Sequence, residues 1–266
     1  MRDRLLHNAI YRKLYPFFDR TFIADSHSCR KDKGTHRAIE RFRTFAYKPS
    51  KNHTRTVWVL KCDIRKFFAS IDQQILLDTV GRYVPDVGIR GLISEVVESF
   101  CSCCPIHQKY ARTYHKCIRK GLPLGNLTSQ LLVNIYMNEF DQCVKHKLKA
   151  KYYIRYADDF VILSHDRVEL ERVLPQIGSF LHNKLKLQLH SNKVSISAFA
   201  PGVDFLGWVH FPEHRVLRTA TKRRMMRNTA GQEEDGPCVR SYLGLLTHGN
   251  SQKLKQKIMH AQNSSR

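Results

Sequence analysis

Residues Lys151–Ser164 read KYYIRYADDFVILS. Two apolar arms, rich in aromatic and β-branched residues, flank Ala157-Asp158-Asp159. Such runs read as strands, and the segment reads as a hairpin with two carboxylates at its tip. An Asp-Asp pair is common in solvated turns. Here apolar sequence lies on both sides, so the charges interrupt buried strands and need a reason.

A second stretch, Thr56–Asp63 (TVWVLKCD), also ends a strand on an acid. Alternation puts Val57, Val59, Lys61 and Asp63 on one face and Trp58, Leu60 and Cys62 on the other. Three carboxylates brought to one place repel unless cations sit among them. A pair of Mg²⁺ ions is the usual solution where a hydroxyl attacks a phosphate, and hard oxygen donors suit that ion.

Helical patterns surround these strands: Tyr11–Phe22, Thr35–Phe45, Ile75–Tyr83, Ile89–Phe100, Leu127–Leu148 and Val168–Leu185. Pro175 should kink the last or mark its true start. Val194–Phe199 and Phe205–Phe211 are expected to pair as a second hairpin around Pro201-Gly202. The order is that of an α+β protein, an antiparallel sheet backed by helices.

Charge narrows the partners. Lys and Arg number 45 against 23 Asp and Glu, a net charge of +22 over 266 residues. Such a field attracts a polyanion, nucleic acid first and an acidic membrane surface second, although a merely soluble basic protein has the same composition. No stretch of 18 apolar residues exists, so no membrane span is expected. The basic N-terminus lacks the apolar run of an export signal. The eight cysteines then read as reduced thiols in a cytoplasm, bacterial or phage-encoded. Cys101, Cys103, Cys104, His107, His115 and Cys117 cluster locally, but CxCC spacing does not suit a structural zinc site, and a reduced loop is the plainer reading.

Three segments together resemble the reverse transcriptase family. Tyr156-Ala157-Asp158-Asp159 resembles the YxDD box. Asp63-Ile64-Arg65-Lys66-Phe67-Phe68, followed by Ser70-Ile71-Asp72, resembles the first palm motif. Gly121–Gln130 (GLPLGNLTSQ) stands where the motif that opens the long palm helix belongs. Its LGNLTSQ form is similar to that of diversity-generating retroelements, whose enzymes copy a template RNA, misincorporate opposite adenine and work with a small basic accessory protein. Ser28–Ile39, Phe205–Trp208, Ser241–Gly244 and His248–Asn250 look the same way.

The resemblance implies a right-hand polymerase: fingers over 1–56, a palm over 57–215 with a fingers insertion near 75–120, and a basic helical thumb over 216–266. It implies RNA-directed DNA synthesis from a DNA or RNA primer and dNTPs. Asp63, Asp158, Asp159 and the carbonyl of Ile64 would hold two Mg²⁺ ions, with Mn²⁺ able to substitute. Phe68 would be the gate that rejects a ribose 2′-hydroxyl, or a core ring. Arg30 and Lys31 would clamp the triphosphate, or form a solvated turn. Gly125 would let the backbone approach the nucleotide, and Gln130 would face nucleotide or template. Asn126, Thr128 or Ser129 can cap the following helix. Lys193 would protonate pyrophosphate, or face solvent. Phe205, Leu206, Gly207 and Trp208 would grip the primer end, or be strand core.

Family members carry a segment upstream of the equivalent of Arg4-Leu5-Leu6-His7, so the fingers are expected to be short, and the thumb to stop soon after Lys257. Group II intron, retron and phage-defence reverse transcriptases, and a non-catalytic RNA-binding remnant, are the alternatives.

Overall fold

The computed structural model describes residues 2–100, 102, 119–232 and 236–263. All six residues of the Cys101–Cys117 cluster, and with them the zinc reading, lie outside the described residues. Among these residues no helix is long and apolar enough to cross a membrane.

The centre is a four-stranded antiparallel sheet. Its strands are β1 (Trp58–Cys62), β2 (Tyr152–Tyr156), β3 (Asp159–Ser164) and β4 (Ser195–Ala198), in the order β2-β3-β1-β4. β2 and β3 form the expected hairpin, closing at the Tyr156–Asp159 pair. β1 runs against β3 with Lys61 opposite Val161 and Cys62 opposite Phe160.

Both faces of this sheet are covered, which is why its strands read as continuous apolar runs. Leu60, Cys62, Tyr153, Phe160 and Ile162 join one core. That core also takes residues of α1 (Arg2–Thr21), α4 (Gln73–Tyr83), α5 (Val87–Glu98), α6 (Leu127–Gln142) and α7 (Arg167–Leu185). On the other face Val57, Val59, Ile154, Val161 and Leu163 meet Phe42 and Phe45 of α2 (Thr35–Tyr47). The first fifty residues therefore share their cores with the strands.

α6 is buried on nearly every side, so it threads the core rather than lying on it. The expected single helix to Leu148 changes winding at Cys143–Lys147, a π turn in which Leu148 N–H bonds to the Cys143 carbonyl at 2.9 Å. α7 starts at Arg167, one residue before the expected Val168, behind an N-cap in which the Asp166 carboxylate accepts Val168 N–H at 2.9 Å. Pro175 thus lies inside the helix and does not mark its start.

The second expected hairpin is corrected. β4 does not pair with the strand after Pro201-Gly202; it pairs with β1, Ser197 opposite Val59. The hairpin is formed by β5 (Val203–Phe205) and β6 (Trp208–His210), to which β7 (Arg215–Leu217) adds. Its two turn residues are Leu206 and Gly207, at φ 51° and 83°. Positive φ at both central positions matches the right-handed twist of the flanking strands. A leucine there is strained, and it is held by packing against two apolar clusters at once.

After β7 the chain forms α8 (Thr219–Thr229), α9 (Pro237–Leu246) and α10 (Gln252–Asn263). Met225, Val239, Leu246, Leu254 and Ile258 pack on Trp208, Leu217 and Ile39. A short helix, α3 (Phe67–Ser70), follows β1.

Candidate active site

The register of the sheet brings the acids together. Cys62 faces Phe160, and one step further sets Asp63 opposite Asp159 on the same side of the sheet. Asp158 sits beside them in the two-residue turn, after Ala157 at φ 56°. Burial, followed by the charge of Asp63, raises the Asp158 carboxyl above its ordinary value. Burial also pushes Asp159 up to about 6, with Asp158 and Asp63 adding to the rise and Lys61 opposing it. The three carboxylates therefore share one field, whose negative charge is only partly balanced.

Two lysines provide that balance. Lys193 Nζ donates to Asp63 Oδ2 at 2.9 Å, and this bond raises the lysine above its ordinary value. Its side chain is half exposed while that of Asp63 is 12% exposed, so Lys193 reaches the acids from the solvent side. Lys61 stands on the Asp63 face and donates to the Asp204 carbonyl at 2.7 Å, tying the site to β5. Among the described residues, no group of three or more His, Cys, Asp or Glu is arranged to hold an ion as it stands. The donor set nonetheless fits a hard divalent cation, because its oxygens crowd one another's charge and an ammonium already rests on one of them.

The raised Asp159 makes a testable statement about pH. A carboxyl whose pKa is higher in the folded chain binds its proton more tightly there, so its stabilisation is present below about pH 4 and is lost as pH rises through about 6. Two pH units correspond to at most about 3 kcal/mol, and partial exposure reduces this to roughly 1–2. Metal-free Asp159→Asn should therefore gain stability over the native chain between pH 4.5 and 7, in urea titrations of both. A difference that does not change with pH would refute the assignment.

The remaining candidates differ in their surroundings. Near the acids, Arg65 N–H bonds to the Gln188 carbonyl and His190 N–H to the Asp63 carbonyl. This antiparallel bridge of Ile64 with Leu189 turns the Ile64 carbonyl away from Leu189. Of the adjacent rings, Phe67 is buried and Phe68 half-buried. Gly125 has φ 91° with open space where a Cβ would stand, so its backbone requires glycine while its surroundings do not. Gln130 is half-buried in the first turn of α6. The expected side-chain cap is absent: Asn126 occupies the cap position without accepting a bond, Thr128 Oγ1 pairs with His7 Nδ1 at 2.9 Å, and Ser129 Oγ is buried without a partner.

Other candidates are committed elsewhere. Arg30 is not a solvated side chain. It bonds to Asp19 Oδ1 and to the carbonyls of Asp19, Ile23 and Ser26, which uses four of the five guanidinium donors. Lys31 next to it is exposed. Phe205 and Trp208 are fully buried core residues, so any primer contact from that hairpin falls to Leu206-Gly207.

One cluster went unread in the sequence. Arg155 and Asp141 are both wholly buried, and the guanidinium grips the carboxylate at 2.8 Å from Nε and 2.8 Å from Nη2. The available signal was a charge inside the apolar arm YYIRY, in step with Tyr153.

A family profile described as reverse transcriptase (RNA-dependent DNA polymerase) matches residues 1–210. Protein YkfC of Escherichia coli K12 is 25% identical over 92% of this chain and 69% of its own length. The group II intron-encoded protein LtrA of Lactococcus lactis subsp. cremoris is 23% identical over 84% of this chain and 44% of its own. Among solved structures, telomerase from Candida albicans with a TWJ fragment of telomeric RNA superposes at TM-score 0.57 and 12% identity, over 98% of this chain and 46% of that one. The chain thus spans under half the length of the last two.

Proposed function

The chain belongs to the reverse transcriptase (RNA-dependent DNA polymerase) family, and from that premise we propose that it copies an RNA template into DNA at Asp63, Asp158 and Asp159. The observation that carries this reading is the convergence of three partly buried, mutually repelling carboxylates at the ends of β1 and the β2–β3 hairpin. Two bound Mg²⁺ ions, replaceable by Mn²⁺, would supply activation of the primer 3′-hydroxyl and neutralisation of the leaving pyrophosphate. Asp63, Asp158, Asp159 and the Ile64 carbonyl are the residues to hold them. Lys193, which donates to Asp63, would give a proton to pyrophosphate. The test is primer extension on a defined RNA with dNTPs, compared with Asp158→Asn.

In this reading 1–56 act as fingers, 57–215 as palm and 216–266 as thumb. Lys31 carries the fingers' charge toward the triphosphate, Arg30 shaping the turn that presents it. Gly125 and Gln130 lie under the nascent base pair, and the Leu206-Gly207 turn meets the primer. The +22 charge serves a polyanionic template and primer.

Phe68 would select the sugar. Its half-buried ring beside the buried Phe67 has a free side to offer a ribose. Phe68→Ala should raise incorporation of rNTPs relative to dNTPs by roughly 10- to 100-fold, the worth of one steric contact. An unchanged ratio would make Phe68 a core ring.

The LGNLTSQ form of Leu124–Gln130 supports a subtype. Leu124 is 74% exposed beside Gly125, a loose flank for a base pair. Each 1.4 kcal/mol of lost discrimination means about tenfold more errors. The enzyme is then the error-prone copyist of a diversity-generating retroelement, working with a small basic accessory protein. Sequencing of cDNA should show errors concentrated at template adenine and reduced in Leu124→Gln. Even errors would place the enzyme with the group II intron or retron type.

A further inference from the structure

We propose that Arg155 is the positioning residue of the catalytic turn, pinning it from beneath to the long helix and to the 25–28 segment. The inference rests on Asp158 being a ligand of the proposed site.

A buried ion pair is poor evidence for stability in itself. Desolvating two charges costs several kcal/mol, and apolar residues of the same volume often serve a core as well. Arg155 and Asp141 therefore need a further reason to occupy the centre of the core, and the geometry of the guanidinium supplies one.

The donors of Arg155 fan out to four residues in three separate parts of the chain. Nε and Nη2 hold both oxygens of Asp141 on α6. Nη2 also reaches Ser26 Oγ at 3.0 Å and Asn134 Oδ1 at 3.3 Å. Nη1 donates to the carbonyl of Ala157 at 3.1 Å. That carbonyl belongs to the peptide joining Ala157 to Asp158, and Ala157 is held in the left-handed region. An L-residue leaves that region readily unless something holds it, and the bond to Nη1, made at the edge of the core, is such a hold.

The far side of the grip is equally fixed. Tyr153 Oη donates to Asp141 Oδ1 at 2.7 Å, and Asn134 Nδ2 donates to the Ser28 carbonyl at 2.9 Å. The backbone closes the arrangement: Arg155 N–H bonds to the Asp25 carbonyl, and His27 N–H to the Arg155 carbonyl, both at 3.0 Å. α6, the 25–28 segment and the Ala157–Asp158 peptide thus meet on one rigid, planar side chain. A lysine could pair with Asp141, but its single ammonium cannot also span to Ala157. Movement of the 25–28 segment would be felt at the Asp158 carboxylate through the same group.

The test uses the full chain. Arg155→Gln combined with Asp141→Asn leaves no unpaired buried charge and should fold. Tyr153→Phe is the control: it removes a bond from the same cluster without touching Ala157. The first readout is hydrogen exchange across the Ala157–Phe160 amides, which needs no metal. The second is Mn²⁺ binding to the nucleic-acid-free protein, read by paramagnetic resonance.

Exchange at the turn should rise at least about tenfold in the double variant, and Mn²⁺ affinity should fall by a similar factor, with neither changing in Tyr153→Phe. Should the double variant not fold, Arg155→Lys is read in the same way. Exchange equal to the native chain, or an equal rise in Tyr153→Phe, would overturn the inference and leave the cluster as packing. Native Mn²⁺ affinity in Asp158→Asn would instead count against the proposed site, whatever the exchange of the turn.

Discussion

Asp158→Asn should reduce primer extension on an RNA template by at least about a thousandfold while leaving template–primer affinity unchanged. The substitution keeps the shape of the side chain and removes one negative charge. Loss of about 4 kcal/mol of transition-state stabilisation gives a thousandfold, a modest share of what bound divalent cations contribute to phosphoryl transfer. Folding should not suffer. The Asp158 carboxyl is raised by burial and by Asp63, so the charged form is held against a penalty that asparagine does not carry. Metal-free Asp158→Asn should melt at or above the temperature of the native chain. The basic residues are spread over the whole chain and the substitution leaves them all in place. Extension within tenfold of native would sink the assignment; a collapse of binding or melting temperature would mean that the residue is structural.

Trp208→Ala should cost about 3–5 kcal/mol, the range for deleting a large buried ring. Trp208 is 1% exposed and is the hub on which Met225, Val239, Leu246, Leu254 and Ile258 gather. Arg215 lies over its ring, and a methyl group at Gly249 would overlap the indole, so the loop after α9 is fitted against it. The four-stranded sheet has separate cores and should survive. The expected result is early loss of α8–α10 in urea, proteolytic cleavage near Arg218, and template–primer affinity lowered by about tenfold or more. A single unfolding transition shifted by less than 1 kcal/mol would show that these helices do not depend on the ring.

The strands that carry Asp63, Asp158 and Asp159 are readable in the sequence because their constraint is local. Apolar arms of fixed parity around a charged tip leave little choice of hairpin, and Asp63 closes a strand of the same kind. Pairing between distant segments was less legible. Val194–Phe199 and Phe205–Phe211 are neighbours in sequence, and neighbouring strands pair more often than not. β4 nevertheless joins β1, because Phe199 N–H bonds to the Val57 carbonyl and the Phe199–Gly202 turn then takes the chain out of the sheet. The bonds of Arg30 are hard to read in the sequence for a different reason. Its position in a charged segment suggests solvent, while its partner Asp19 lies eleven residues back on a helix. The Arg155–Asp141 pair was written in the sequence as an arginine in an apolar arm, but nothing local names its partner. Leu206-Gly207 as a hairpin turn was hidden because leucine is a poor candidate for positive φ.

The place of β1 in the sheet has a consequence for biosynthesis. Trp58 pairs with Ser164 on one side and Ala198 on the other. Its second partner is translated about 140 residues after it. At roughly 5–20 residues per second, the nascent apolar strand waits about 7–28 s before both its edges can be filled. Throughout that interval it is a hydrophobic segment with open backbone groups, the kind that chaperones bind and neighbouring nascent chains can capture. Slower elongation across Val168–Leu187 should therefore prolong exposure rather than assist folding. The yield of active protein should respond to chaperone supply more than to codon-level pauses.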